Sequence, residues 1–321
     1  VTESPSETTA PTADQADKQP TAPVVAHTRT ELRAARAALT SRDVAVVMTM
    51  GALHDGHAQL VKRARAEHDH VIVTIFLNPL QFGPQEDLSR YPRTFDADME
   101  ICTSAGVDVV FAPTPDVVYP EGDPGVRISA GPLGTVLEGQ SRPGHFDGML
   151  TVVAKLLHLT GARTAYFGQK DAQQLLLIRR MVCDLDFPVE VVAVPTVRED
   201  DGLAMSSRNT YLTESDREVA LCLSRALRAG GDAAAYGPSS IRRAAREVLV
   251  EEPLALVDYL VLVHPTTLAD VPEWYRGEAL LAVAARVGTT RLIDNTPVLV
   301  GPGGGMLDVF TPEATSLSAH P

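Results

Sequence analysis

The sequence predicts an α/β protein, a doubly wound parallel sheet followed by a second, smaller α/β C-terminal unit. Three observations carry this expectation. Short apolar runs rich in Val, Ile and Ala, the length of buried strands, recur between residues 43 and 195. Stretches with helical spacing of apolar residues separate them. From about residue 197 the texture changes to a polar loop followed by Ala/Arg-rich helices.

Residues 1–25 are rich in Thr, Pro, Ser, Ala and acids, and hold too few large apolar side chains to offset the entropy of ordering, so they read as a disordered tail. The spacing then predicts a short helix over Thr30–Thr40 and a buried strand over Asp43–Met50 (DVAVVMTM). Gly51 and Gly56 mark a turn, HAQLVKRARAEHD a helix, and VIVTIFLN (71–78) a second strand. This strand, turn, helix, strand unit has the size of a βαβ crossover. The alternation continues with a helix at 94–106, a strand at 107–113, helix 148–160, strand 164–168, helix 171–183 and strand 189–195. Strands separated by helices imply a parallel sheet covered on both faces, a Rossmann-like unit spanning 26–196. The smaller unit, 197–310, opens with VREDDGLAMSSRN and continues with helices from Glu214 to Gly230 and near 239–251, then VDYLVLVHP and ALLAVAARVGTTRLIDN. The Gly-Pro-rich stretch from GPGGGM onward reads as fraying, with the tail proper at 311–321.

Composition narrows the function classes. Twenty-eight basic residues against 41 acidic ones give a net charge of −13, which argues against nonspecific binding to nucleic acid or to an anionic membrane. Any phosphate site must be local. Cys102, Cys183 and Cys222 are far apart and form no CxxC pair, so neither a disulfide framework nor a cysteine zinc site is expected. No apolar run reaches the roughly 18 residues needed to span a bilayer, and no signal peptide is visible, so a cytoplasmic location is expected.

In doubly wound sheets, ligands bind beyond the carboxyl ends of the strands, which directs attention to the turns MGALHDGH, FLNPLQFG, YFGQKDAQQ and the loop after Pro195. His54 and His57, three apart at a helix start, suit a helix cap, a phosphate grip or a metal, and spacing alone leaves all three open. Lys170, in a chain with only four lysines, can stabilise charge developing on a phosphate; Asp171 beside it can accept from ribose hydroxyls or cap the following helix. Ser206, Ser207 and Arg208 put two hydroxyls and a guanidinium in a row, although such a loop is more often merely solvated. Gln81 and Gln174 offer amides to a small polar substrate. Arg142 and His145, in SRPGHFDG, sit where a substrate entrance could form.

Taken together, TMGALHDGH, IFLNPLQFG, YPRTFDAD, LEGQSRPGHFDGMLTVVAKLL, YFGQKDAQQLLLIRR, VPTVREDDGLAMSSRNTYL and ARVGTTRLIDN closely resemble the pantothenate synthetase (pantoate–β-alanine ligase) family over roughly residues 28–295. HDGH resembles the HxGH signature of the wider nucleotidyltransferase superfamily, and MSSR the counterpart of its KMSKS loop. The resemblance implies that ATP and pantoate form a pantoyl adenylate, with Mg²⁺ on the phosphates, and that β-alanine then displaces AMP. It implies catalytic roles for His54, His57, Lys170 and Arg208 on the phosphate chain, with Ser206 and Ser207. It further implies that Met50, Gly51, Gly56, Gly168, Asp171, Val197 and Met205 line ATP. Gln81 and Gln174 would hold pantoate, with Asn78 and Tyr91 at that pocket. The acidic cluster after YPRT is broken by Ala97, leaving Asp96 and Asp98, which argues against a direct metal contact from that helix; Mg²⁺ is expected on the ATP phosphates, with Asp98 the one protein ligand left open. A homodimer through the N-terminal domain and a lid role for 197–310 are also implied.

Overall fold

A computed structural model of the chain describes residues 21–83, 88 and 91–310. The expected tails at 1–20 and 311–321 lie outside the described residues. The expected tail boundary at 25 is corrected, because Val24–Ala26 (β1) pairs in parallel with Val109–Phe111 (β4). A three-residue strand carries no periodicity of its own, and here the neighbouring strand orders it.

Helix α1 (Arg29–Ala38) starts at Thr28, whose hydroxyl accepts from the Glu31 N–H while the Glu31 carboxylate accepts from the Thr28 N–H. This reciprocal pair satisfies two helix-end donors, and Leu32 and Ala35 on one face are buried. Strand β2 (Val44–Thr49) leads into α2 (Asp55–Glu67) and β3 (His70–Ile75). After β3 come α3 (Phe95–Ser104), β4, and two short turns of helix, α4 (Pro115–Val118) and α5 (Glu138–Ser141). Helix α6 (His145–Thr160), strand β5 (Thr164–Gly168), helix α7 (Ala172–Asp184) and strand β6 (Glu190–Val194) complete the first layer system. α6 begins three residues earlier than the expected start at 148, since Gly144 in the left-handed region (φ +80°) supplies the corner.

The sheet runs β1-β4-β3-β2-β5-β6, all in parallel. The chain leaves β2 for β3 on one side, and β5 later pairs on the other side. That reversal makes the switch point between β2 and β5, where a crevice opens beyond the strand ends. Residues Val44–Val47 are fully buried because helices cover both faces.

Past residue 197, helices α8 (Glu214–Asp232) and α9 (Pro238–Val250) pack on a three-stranded antiparallel sheet, β7 (Ala255–Val263), β8 (Gly277–Val287) and β9 (Thr290–Val300). The segment expected to fray from GPGGGM is instead folded back on β9. The Leu299 N–H donates to the Gly305 carbonyl at 2.8 Å, the Leu307 N–H to the Pro297 carbonyl at 2.8 Å, and Phe310 is buried. Among the described residues, no helix is long and apolar enough to cross a membrane.

Polar bonds tie the small sheet to the large one. Arg291 on β9 makes a forked pair with Glu138 of α5 (2.6 and 2.9 Å), and the Tyr259 hydroxyl donates to the same carboxylate at 2.9 Å. The Asn295 amide donates to the Lys170 carbonyl at 2.7 Å and to the Gln169 carbonyl at 3.1 Å. The turn after β5 is thus held from the opposite layer.

Candidate active site

Beyond β2 the backbone makes a left-handed turn at Gly51 (φ +84°) and Ala52 (φ +52°). A Cβ at Gly51 would lie 3.1 Å from Asp98 Oδ2 and 3.2 Å from Ile75 Cγ2, so both space and φ call for glycine there. Asp98 is buried, and its carboxylate accepts from Leu53 N–H (2.8 Å), Ala52 N–H (3.1 Å) and the Thr94 hydroxyl (3.0 Å). The carboxylate left open as a Mg²⁺ ligand is thus bonded to the turn that follows β2. Its oxygens are engaged in anchoring the turn, and it does not line the cavity.

That turn presents His54 as the N-cap of α2. His54 Nδ1 accepts from the Gly56 N–H at 3.1 Å, and His57 Nδ1 accepts from the His54 N–H at 3.3 Å. Two of the three open roles are reconciled by this geometry. With Nδ1 of each ring accepting from backbone, the ring proton of each neutral imidazole resides on Nε2, and capping leaves one N–H donor per ring for a ligand. Burial pushes the His57 pKa down to about 3, with the adjacent His54 adding to the shift. Burial also lowers His54, followed by the positive charge of Lys170. Both rings stay neutral donors at neutral pH. Gly56 is glycine for the same reason, since a Cβ there would come within 2.8 Å of the His54 ring.

At the end of β5, Gly168 opens a short turn over Gln169–Asp171 that carries Lys170. Asp171 makes no side-chain cap bond to α7, which removes the capping alternative; it is half exposed and lies 3.9 Å from Lys170 Nζ. The third contributor is the loop after β6. Met205 N–H donates to the Val197 carbonyl at 2.9 Å, and Ser206 Oγ accepts from the Arg208 N–H at 3.3 Å to start a turn at Ser207–Tyr211. These three turns converge on one cavity of about 250 Å³. Met50, His54, Gly56, His57, Gly168 and Lys170 line it, together with Asp171, Val197, Met205, Ser206, Ser207 and Arg208.

The rest of the cavity's lining is made of side chains. Gln81 is buried in a short turn, Pro79–Gln81; its Oε1 accepts from Asn78 Nδ2 at 3.0 Å and its Nε2 lies 3.1 Å from Met50 Sδ. Tyr91 and Gln174 line the same space. The sequence reading missed its apolar wall, Phe76, Met149, Val152, Val153 and Leu156, which carries no signal distinguishing it from ordinary core. Arg142 and His145, expected at an entrance, also line the cavity, and a wider space of about 600 Å³ between the two sheets shares them with Lys170 and Arg208. Of the expected site residues, Gly51 and Asp98 alone lie outside the lining.

A family model, Pantoate-beta-alanine ligase, matches residues 24–297. The chain belongs to the pantoate–β-alanine ligase family. Pantothenate synthetase of Salinispora arenicola is 59% identical over 280 residues, covering 86% of this chain and 98% of that protein. The enzyme of Streptomyces avermitilis is 54% identical over 309 residues, covering 80% and 93%. Among solved structures, pantothenate synthetase from Thermus thermophilus superposes with a TM-score of 0.80 at 50% identity, covering 85% of this chain and 98% of that one. The ligase of Francisella tularensis, crystallised with a β,γ-ATP compound and β-alanine, gives 0.70 at 36% identity, covering 85% and 97%. The relatives share the parallel sheet and the small antiparallel sheet, so this family fold is the one the chain adopts.

Proposed function

We propose that this ligase, which forms pantothenate from pantoate and β-alanine with ATP, works through a pantoyl adenylate held in the cavity between the β2 and β5 turns. The observation that carries the reading is the convergence of three donor-bearing turns on one cavity whose lining also holds neutral amides and an apolar wall.

In the first step a pantoate carboxylate oxygen attacks the α-phosphorus of ATP, and the bond from that phosphorus to the bridging oxygen breaks, releasing pyrophosphate. Charge moves toward the leaving group during this step. The Nε2–H groups of His54 and His57, Lys170 Nζ, the Arg208 guanidinium and the hydroxyls of Ser206 and Ser207 stabilise it there. Met50, Gly56, Gly168, Asp171, Val197 and Met205 line the nucleotide. Gln81 and Gln174 bind pantoate by hydroxyl and carboxylate, with Asn78 and Tyr91 flanking and the apolar wall against the dimethyl carbon. In the second step the neutral amine of β-alanine attacks the acyl carbon, AMP leaves with its electron pair on oxygen, and the nitrogen sheds one proton to water or to the departing phosphate, so no strong base is needed.

Mg²⁺ belongs to this proposal as the partner of the ATP phosphates. Apart from Asp171, the side chains at the phosphate groups' place are nitrogen donors and hydroxyls, which suit phosphate oxygen better than a hard cation, so the ion would be held mainly by the nucleotide and would supply charge neutralisation there. The reading also takes 26–196 as the ATP- and pantoate-binding domain, 197–310 as a lid over it, and the working form as a homodimer through the N-terminal domain, which equilibrium sedimentation tests. The central test is ATP–pyrophosphate exchange. Exchange that requires pantoate and needs no β-alanine is expected; exchange without pantoate, or only with another acid, ends the adenylate assignment.

A further inference from the structure

His145 is a buried polar residue in the first turn of α6, and its imidazole bonds to the backbone of the turn that carries Gln81. His145 Nδ1 lies 2.8 Å from the Gln81 carbonyl oxygen. Arg142 Nη1 lies 3.1 Å from His145 Nε2, and a guanidinium only donates, so Nε2 accepts and the ring proton is on Nδ1. The tautomer is thus fixed by Arg142, and His145 Nδ1–H donates to the Gln81 carbonyl. This is the reverse of the His54 and His57 arrangement.

Two neighbours hold the same turn against α6. The Asn78 amide donates both to the Gly148 carbonyl (3.2 Å) and to Gln81 Oε1 (3.0 Å). Gly148 lets the backbones meet, since a Cβ there would be 2.1 Å from the Leu80 oxygen and 2.4 Å from the Leu80 carbonyl carbon. Neither of those atoms can yield without moving the turn. The Gln81 side chain is therefore placed by contacts that begin on its own main chain, whose carbonyl accepts from His145 Nδ1–H at 2.8 Å and, more weakly, from Arg142 Nη2 at 3.5 Å.

We infer that His145, with its tautomer set by Arg142, is the positioning residue for Gln81 and through it sets the affinity for the hydroxy-acid substrate. This inference rests on the reading of Gln81 as the pantoate-binding amide. A neutral hydrogen bond of this kind acts on ground state and transition state alike, so its loss appears in KM and not in kcat.

The test compares three substitutions chosen for atom position. In His145→Asn, the side-chain amide nitrogen can occupy the place of Nδ1; in His145→Gln, it reaches only the place of Nε2; His145→Leu has neither donor. KM for pantoate is expected to rise about tenfold in the Leu and Gln variants and to stay within about threefold of the parent in the Asn variant, with KM for ATP and kcat changed by less than about twofold. The Asn and Gln variants share polarity, so a general loss of folding would not separate them. Equal KM values in those two variants, or a loss spread over kcat and ATP, overturn the inference. Gln81→Ala supplies the reference. If it leaves KM for pantoate unchanged, the assignment of Gln81 falls and this inference with it; if it raises KM while His145→Leu does not, the inference alone falls. In the double variant, no further rise beyond Gln81→Ala is expected, because His145 then has no amide to position.

Discussion

In the part of the cavity proposed for the nucleotide the groups come from three chain turns, each fixed by hydrogen bonds before a ligand arrives: the His54 and His57 rings on the α2 start, Lys170 on a turn held by Asn295, and the Ser206 cap. In the part proposed for the acid, Gln81 sits on a short turn pressed against α6, Gln174 lies on α7, and apolar side chains share the lining. Phosphate carries charge and varies little in shape, so fixed donors and cations at strand ends serve it well. A branched hydroxy acid is distinguished by shape and by where its hydroxyl lies, which calls for amides placed to fit. The difference teaches where each change should register. Loss at the first end removes transition-state stabilisation and lowers the rate, and loss at the second weakens binding.

The sharpest way to break this contrast is Lys170→Ala. It is expected to slow adenylate formation by about 10²-fold or more, on the order of 3 kcal/mol, with His54→Ala and His57→Ala behaving alike. Single-turnover formation of the adenylate measures this directly; a normal rate in the His57 variant would remove that ring from the phosphate grip. The same ring gives the next largest effect, now on stability. Its folded pKa is lowered to about 3 from 6.5 by burial. Above 6.5 neither folded nor unfolded chain binds this proton, but below it the unfolded chain takes up a proton that the folded one refuses. Stability therefore falls as pH drops from 6.5 toward 3, at about 1.4 kcal/mol per unit, or about 2 kcal/mol by pH 5. Urea unfolding near neutrality and at about pH 5 should show this loss in the parent and a correspondingly smaller one in His57→Gln; identical acid sensitivity in the two proteins would contradict a buried neutral ring.

The acid end is sharpened by Gln81→Ala, for which KM for pantoate is expected to rise about tenfold, about 1.4 kcal/mol, with little change in the ATP dependence. An effect on ATP equal to that on pantoate would erase the distinction between the two ends.

How much of this is legible in the sequence follows the same divide. Strand 164–168 is legible to the residue, because a Thr-Ala-Tyr-Phe run ending in Gly has few other fates, and the turns at the strand ends follow from the parallel topology. The groups proposed to hold the nucleotide lie on those turns, so motifs suffice to pick them out. Sequence does not choose between cap and phosphate grip for His54 and His57, since the two are compatible and the outcome depends on which ring nitrogen faces the backbone. The acid end is legible only in its amides. Phe76, Met149 and Val153 belong to helical and strand patterns that bury them either way, and whether the buried face meets protein or a cavity is a tertiary fact. β1 is hidden in a Pro/Thr-rich segment because pairing with β4, and not propensity, orders it. The Gly-rich 301–306 stretch misleads because glycine marks a packed turn as readily as a loose one.

Asp98 gives the smallest effect and the finest discrimination, because it stands behind the nucleotide end without lining it. Replacing it by Asn keeps one oxygen and turns an NH₂ toward backbone donors at Ala52 or Leu53, so one of the bonds anchoring the turn is lost. A cost of about 1 kcal/mol in unfolding free energy is expected. On the proposed reading the Mg²⁺ concentration giving half-maximal rate should not move, since the carboxylate is occupied by the turn and the ion would arrive with ATP. A marked rise in that concentration for Asp98→Asn would return Asp98 to the metal and require the Gly51–Leu53 turn to open when the nucleotide binds. An unchanged Mg²⁺ dependence with a loss of stability would place its role where the hydrogen bonds do, in holding the loop from which His54 and His57 project.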